Sequence, residues 1–235
     1  MSEELIEQGK RKAAIKAVRE NIKKNMILGI GSGSTVVYAL KEIAEMNKSE
    51  HLNLKCIPSS FQSSQLIIEN DLPMVSLSQY PEVDLDIDGA DEIDKNLNLI
   101  KGGGGCLVQE KILASNSKKF IIIADFRKNS KNLGENWRNG IPIEVIPMAY
   151  VPVMKKLEQL GGKPKLRIAK AKLGPVVTDN GNLILDVDFG IIENPLEQNL
   201  ELLRISGIVD TGLFINMTSK AYIGQKDGNV LVIQK

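Results

Sequence analysis

Four stretches of the 235-residue chain hold residue types that could bind or react. The first is Gly29-Ile30-Gly31-Ser32-Gly33-Ser34-Thr35, which leaves a short apolar run and enters a helical pattern. Free N–H groups at a helix start, together with the positive end of its dipole, make such a turn an anion site. Ser32, Ser34 and Thr35 add hydroxyl donors, and Gly33 lets the backbone come close. The dinucleotide pattern G-x-G-x-x-G fails because Ser34 holds its last glycine position, and no Gly-Lys-Ser/Thr follows to make a nucleotide P-loop. A single phosphate monoester fits better, although a tight turn with a helix cap reads the same way. The second stretch is Asp84-Leu85-Asp86-Ile87-Asp88-Gly89-Ala90-Asp91-Glu92-Ile93-Asp94. Alternation places Val83, Leu85 and Ile87 on one strand face and Asp84, Asp86 and Asp88 on the other. Its opening mimics a calcium loop, but Lys95 stands at the twelfth position, where a bidentate Glu is required. Two readings remain: a solvated strand face with a turn, or paired carboxylates Asp88 and Asp91 flanking Gly89 and Ala90 at the C-terminal end of a strand, where open α/β sheets bind ligands.

The third stretch is Lys101-Gly102-Gly103-Gly104-Gly105. Consecutive glycines cost chain entropy, and they are reasonable where backbone must approach a ligand, with Lys101 supplying a cation. A plain flexible loop is the simpler account. The fourth is Glu110. A helix over 106–116 puts Glu110 on one face with Cys106, Leu107, Leu113 and Ala114. A carboxylate in an apolar stripe is costly unless partnered or used. Burial of that kind also raises a carboxyl pKa toward the range of a general base. A glutamate favoured at a helix start by the dipole is the alternative.

Strand and helix patterns alternate around these stretches. Helical spacing covers residues 3–24, 35–46, 60–70 and 106–116, and short apolar runs at 26–30, 54–58, 83–88 and 119–124 read as strands. This order implies an α/β fold with a doubly wound, mainly parallel sheet. Composition changes near 129–142. Beyond it lie a strand at 143–146, a helix at 149–160, a hairpin signal at Asn180-Gly181 between Val176–Thr178 and Leu183–Val187, and a helix opened by Pro195 with Asn194 as its cap. That succession suits a smaller ferredoxin-like α+β domain. The expected division is 1–132 plus 209–235 for the larger Rossmann-like domain and 133–208 for the smaller, with the strand-like runs at 212–215 and 230–233 rejoining the first domain.

Lys and Arg total 30 against 29 Asp and Glu, a net charge of +1 that removes the usual electrostatic reason to expect a nucleic-acid or membrane binder. Cys56 and Cys106 make neither a disulfide framework nor a zinc set, which is the usage of an intracellular protein. His51 is the single histidine, in a polar stretch expected at the surface, so mechanisms needing two histidines are excluded. Met1 to Lys24 is charged and amphipathic rather than a signal segment, and no run is long enough to span a bilayer.

Taken together, these segments resemble the ribose-5-phosphate isomerase family of the A type. Gly31-Ser32-Gly33-Ser34-Thr35, Asp88-Gly89-Ala90-Asp91-Glu92 and Lys101-Gly102-Gly103-Gly104 look like that family's three binding loops. Gln109-Glu110-Lys111-Ile112 places Glu110 at its proton-accepting glutamate. Ile123-Ala124-Asp125-Phe126-Arg127-Lys128 resembles its I-A-D-x-x-K segment, whose lysine helps bind substrate. Pro142–Pro147 and Val177–Asn182 also match, and Cys56–Gln62 looks more like the eukaryotic members. The N-terminal helix matches least, so no phosphate role is assigned to Lys10.

The resemblance implies interconversion of D-ribose 5-phosphate and D-ribulose 5-phosphate. It implies no cofactor and no metal, a homodimer or homotetramer, and a cytoplasmic protein. Glu110, Asp88, Asp91 and Lys101 are then the expected catalytic set. Ser32, Gly33, Ser34, Thr35, Gly89, Ala90, Gly102, Gly103, Gly104 and Lys128 are expected to hold the substrate. An amino-sugar phosphate deaminase or a lactonase would share the glycine/serine turn, but neither accounts for Asp88, Asp91, Lys101 and Glu110 together. A sugar-phosphate sensor fused to a regulator would need a DNA-binding domain, for which the stretch before Met26 is short.

Overall fold

The computed structural model describes residues 3–235; Met1 and Ser2, which the expected first domain includes, lie outside the described residues. In chain order the elements are α1 (Glu3–Asn21), β1 (Ile27–Ile30), α2 (Val36–Glu50), β2 (Lys55–Pro58), α3 (Phe61–Glu69), β3 (Leu85–Asp88), β4 (Glu92–Ile93), β5 (Leu99–Ile100), α4 (Leu107–Ser115), β6 (Phe120–Asp125), β7 (Ile141–Val145), α5 (Tyr150–Gln159), β8 (Lys163–Leu166), β9 (Leu183–Asp188), α6 (Pro195–Leu203), β10 (Ile208–Thr211), β11 (Leu213–Phe214), β12 (Lys220–Gly224) and β13 (Val230–Gln234). They fall into two compact units. One comprises the chain through Ala90 with Gln109–Arg127 and Met217–Lys235; the other comprises Asp91–Val108 and Lys128–Asn216.

The first unit is built on a six-stranded sheet in the order β13-β12-β6-β3-β1-β2. All neighbours are parallel except the edge strand β13, which runs antiparallel to β12. Leu28, Ile30, Leu85, Ile87, Ile121 and Ile123 fill one sheet face against Ala13, Ala14, Ala17 and Val18 of α1. Small residues on that helix let it lie close to the strands. The order reverses at β1, whose sheet neighbours are β2 on one side and β3 on the other. Such a switch point opens a crevice beyond the strand C-termini. Asp86 and Asp88 are 1% and 0% exposed, which rules out the solvated reading of the aspartate face. Helices cover both sides of a doubly wound sheet, so neither strand face meets water.

In the second unit, β7, α5, β8, β9, α6 and β10 give the β-α-β-β-α-β succession with sheet order β10-β7-β9-β8, all antiparallel. This is the ferredoxin-like arrangement. Ile141, Ile143 and Val145 pack with Leu185, Val187, Val153, Leu157 and Leu202. Asn194 caps α6 as expected, accepting from the Glu197 N–H at 3.3 Å. A third, short sheet has the order β11-β5-β4.

Three details differ from the sequence reading. The division places 91–108 and 209–216 in the second unit, because β5 pairs with β11 and the Lys101 N–H donates to the Gly212 carbonyl at 2.8 Å. Residues 212–215 therefore belong to the second unit, and only β12 and β13 rejoin the first. The Asn180-Gly181 turn forms, with the Thr178 N–H donating to the Asn182 carbonyl at 2.9 Å, but Val176–Thr178 makes only a single bridge, and the ladder partners of β9 are β7 and β8.

Candidate active site

Within the first unit, two strand ends meet. β1 gives way to the Gly31–Thr35 turn, and the adjacent β3 ends at Asp88, with the Gly31 N–H donating to the Ile87 carbonyl at 3.0 Å. The Asp88 Oδ1 accepts from the N–H groups of Ser32 (3.0 Å) and Gly89 (2.7 Å). A fully buried carboxylate is thus fixed at the C-terminal edge of the sheet, beneath the turn, and Gly89 and Ala90 follow it half-buried. The turn itself is braced by the neighbouring loop and α3. The Ser32 hydroxyl bonds Ser60 Oγ at 2.7 Å, and the Gly33 N–H donates to Gln62 Oε1 at 2.8 Å. Thr35 stands at the N-cap of α2 but makes no side-chain cap hydrogen bond. α2 is 15 residues long, and the dipole at the start of such a helix favours an anion.

Lys10, to which the sequence assigned nothing, also belongs to this turn. Its Nζ donates to Ser34 Oγ at 3.0 Å and to Glu7 Oε1 at 2.7 Å. Those contacts from Lys10, and a bond from the Tyr38 hydroxyl, hold the Glu7 carboxyl below its ordinary pKa. The cation is placed by helix docking: Gly9 meets Gly224 at the end of β12 with no room for a side chain on Gly224. A glycine one residue before a lysine was the sequence signal, readable only once its packing partner is known. Glu110 lies in the first turn of α4, 5% exposed, among buried Leu107, Leu113 and Ala114, as the helical spacing implied.

The second unit carries the other expected groups. Lys101 is 3% exposed, its Nζ 5.5 Å from the centre of the Phe214 ring. Gly102 to Gly105 form a turn closed by the Gly105 N–H on the Gly102 carbonyl at 3.0 Å. The run is not a slack loop. A Cβ on Gly103 would come within 2.7 Å of Asp91 Oδ1 and 2.9 Å of the Trp137 ring. The Gly103 N–H donates to Asp91 Oδ2 at 2.7 Å, which ties the second aspartate to the turn. Gly104, in contrast, has nothing within 4 Å of where a side chain would start. Lys128 stands 5.3 Å from the centre of the Trp137 ring, a cation–π distance that restrains its long side chain. Trp137 thereby touches both the glycine turn and the lysine; no spacing in the sequence announced it.

Among the described residues, no group of three or more His, Cys, Asp or Glu side chains is placed to hold a metal ion, and no helix is long and apolar enough to cross a membrane.

This arrangement has relatives. The family model for ribose 5-phosphate isomerase A (phosphoriboisomerase A) matches residues 55–228. The chain is 56% identical over 230 residues to the ribose-5-phosphate isomerase of Sus scrofa, covering 97% of this chain and 75% of that protein. The ribose 5-phosphate isomerase A structure from Methanocaldococcus jannaschii superposes with a TM-score of 0.91 at 39% identity, over 97% of this chain and 98% of that one. A D-ribose-5-phosphate isomerase solved in complex with phospho-erythronic acid gives a TM-score of 0.94 at 37% identity, over 100% of both chains. With its sheet order, its three loops and its buried glutamate, the chain belongs to the ribose 5-phosphate isomerase A family.

Proposed function

We propose that this chain interconverts D-ribose 5-phosphate and D-ribulose 5-phosphate by proton transfer through an enediolate, without a metal. The observation that carries the mechanism is Glu110, a carboxylate 5% exposed on an apolar helix face. Taking a carboxylate out of water has a cost that its surroundings must offset, and a base held at that place is what the reaction requires. Glu110 removes the proton from C2 of the aldose and returns it to C1 of the ketose. The enediolate oxygen that forms needs a fixed cation and donors, the role of Lys101 and the glycine-turn amides. Asp88 and Asp91 exchange the hydroxyl protons on O1 and O2 and assist ring opening. Backbone at Gly89, Ala90, Gly102, Gly103 and Gly104 lets the sugar lie close.

Phosphate is gripped by Ser32, Gly33, Ser34 and Thr35, with Lys10 and Lys128 as counter-ions. Binding energy spent on that remote group positions C1 and C2 for the proton shuttle. The phospho-erythronic acid named with the structural relative fits this scheme in its chemistry, because it joins a carboxylate, which resembles an enediolate in charge and planarity, to a phosphate group. A homodimer or homotetramer working in the cytoplasm accords with the family. Leu196, Leu200 and Leu203, 41–51% exposed along α6, give an apolar stripe that association would cover.

Direct assay with ribose 5-phosphate tests the reading. Glu110→Gln is expected to lower kcat by about 10³-fold while phosphate-bearing inhibitors still bind. Near-normal turnover of that variant removes Glu110 as the base. Turnover that is lost on chelation and restored by a divalent ion overturns the metal-free scheme.

A further inference from the structure

Arg167 follows β8, and its backbone is pinned on both sides. Its N–H donates to the Ile184 carbonyl, and its own carbonyl accepts from the Val176 N–H, each at 2.9 Å. The guanidinium is shared between two tasks. Nε and Nη2 fork onto Asp186 at 2.8 and 2.5 Å, while Nη1 donates to two successive carbonyls, Gly102 at 2.9 Å and Gly103 at 3.2 Å. The Arg167 and Asp186 side chains are only 15% and 19% exposed, so both tasks are performed largely out of water.

Peptide geometry converts this clamp into a statement about donors. No cis bond occurs among the described residues, and in a trans peptide the C=O and N–H point in opposite directions. The Gly102 carbonyl shares its plane with the Gly103 N–H, and the Gly103 carbonyl with the Gly104 N–H. Holding both carbonyls on one cation therefore turns both N–H groups away from it. The Gly103 N–H goes to Asp91 at 2.7 Å. The Gly104 N–H has no protein acceptor among the described residues and stands where a side chain would find open space. Left to itself, a run of glycines samples many conformations, and an oxyanion donor is worth most when it is already aimed.

We infer that Arg167, aligned by Asp186, is a positioning residue that fixes the glycine turn so that the Gly104 N–H is presented to the developing oxyanion. The inference rests on the proposed isomerase reading and adds a group that need not touch the substrate.

The test uses the full chain with Arg167→Met, Arg167→Lys and Asp186→Asn. In Arg167→Met, kcat is expected to fall about 10- to 100-fold with KM for ribose 5-phosphate changed less than about threefold. Affinity for phospho-erythronic acid falls alongside kcat, inhibition by inorganic phosphate stays as in the parent, and Arg167→Lys recovers part of the loss. Parental kcat and parental phospho-erythronic acid affinity in Arg167→Met overturn the inference. Should Arg167→Met fail to fold, Asp186→Asn decides: it keeps the donors but frees the fork, and a parental kcat there counts equally against the idea. An inactive parent chain would sink the isomerase reading by itself. The Gly103 and Gly104 amide NMR shifts, which must move in the Arg167 variants whatever the reaction, then judge the positioning role alone.

Discussion

Gly31→Ala is the most discriminating substitution at the first strand end, because it adds one methyl group and removes no functional atom. The added Cβ would lie 2.0 Å from Asp88 Oδ1 and 2.1 Å from its Cγ, well inside any tolerated contact. Asp88 can yield only by rotating away from the Ser32 and Gly89 N–H groups, or β1 and β3 can part, breaking the bond from Gly31 to the Ile87 carbonyl. Hydrogen bonds to a charged acceptor contribute about 1.5–3 kcal/mol each, and overpacking a filled site costs about 1–3 kcal/mol. Partial relaxation makes a net loss of about 2–4 kcal/mol the expectation. For a chain of this size that corresponds to a drop in Tm of roughly 5–15 °C. Displacing Asp88 by an ångström is expected to lower kcat/KM about 10²-fold. Gly33→Ala is the control. Its φ of 102° makes alanine strained by about 1–2 kcal/mol, yet nothing lies within 4 Å, so Asp88 is left in place. Differential scanning calorimetry and steady-state kinetics on both variants give the comparison. A Gly31→Ala protein with parental Tm and parental kcat/KM would refute the reasoning, since the steric conflict would then have no consequence at Asp88.

Gly224→Ala would bring a Cβ to 2.1 Å from the Gly9 carbonyl oxygen and lift α1, moving Lys10 away from Ser34; KM for ribose 5-phosphate should rise about tenfold with a smaller change in kcat, and an unchanged KM in steady-state kinetics removes Lys10 from the phosphate grip. Glu144, fully buried on β7, accepts from Thr178 Oγ1 at 2.9 Å and from the side-chain amides of Asn180 at 3.0 Å and Asn182 at 2.8 Å, so Glu144→Ala should cost about 2–4 kcal/mol in urea unfolding, and a loss under about 0.5 kcal/mol counts against this lock on the turn. Burial pushes the Asp84 carboxyl up, but the Ile27 N–H and Lys118 outweigh it and hold the pKa below its ordinary 3.8. Because the folded-state value is the lower one, Asp84 contributes stability above about pH 4 that fades as pH falls through the folded pKa. Tm measured against pH should therefore show parent and Asp84→Asn separated at neutrality and converging in acid; a separation that widens in acid contradicts this sign.

The main elements around the site were legible because their residues obey simple periods. The parallel strands are short apolar runs, α4 shows Glu110 on an apolar arc, and Asn194-Pro195 announces α6. What escaped was structure whose signal is not local. β4, β5 and β11 have two residues each, too few to display alternation, and only their pairing assigns 91–108 to the second unit. β8 reads Lys-Pro-Lys-Leu on an exposed edge, where charge and proline guard against further pairing, so it lacks the look of a strand. Lys10 and Arg167 escaped for a different reason. Each is an ordinary basic residue in sequence, and each acquires a role only through a distant partner, Ser34 for one and the Gly102 and Gly103 carbonyls for the other.

The glycines of β1 and the aspartates of β3 turn out to be one pattern written twice. Gly29 lies opposite Asp86 in the parallel register, and Ile30 opposite Ile87. A side chain on Gly29 would come within 2.7 Å of Asp86 Oδ1, as one on Gly31 would reach Asp88. The G-x-G spacing thus mirrors the D-x-D spacing two strand positions at a time: one strand omits its side chains so that its neighbour can bury carboxylates. A buried carboxylate carries a desolvation cost of several kcal/mol that its hydrogen bonds must offset, which an apolar pair in place of Asp86 and Asp88 would not incur. Alternation that signals a half-solvated strand in an open antiparallel sheet therefore means something else in the middle of a doubly wound one, where both faces are inside. There, an acidic face is a departure from what stability favours, and the residue at its C-terminal end is the one to suspect of chemistry. It follows that Gly31, which reads in sequence as part of a phosphate cradle, serves first to seat Asp88. In the proposed scheme the anion is gripped by Gly33, the hydroxyls around it, Lys10 and Lys128.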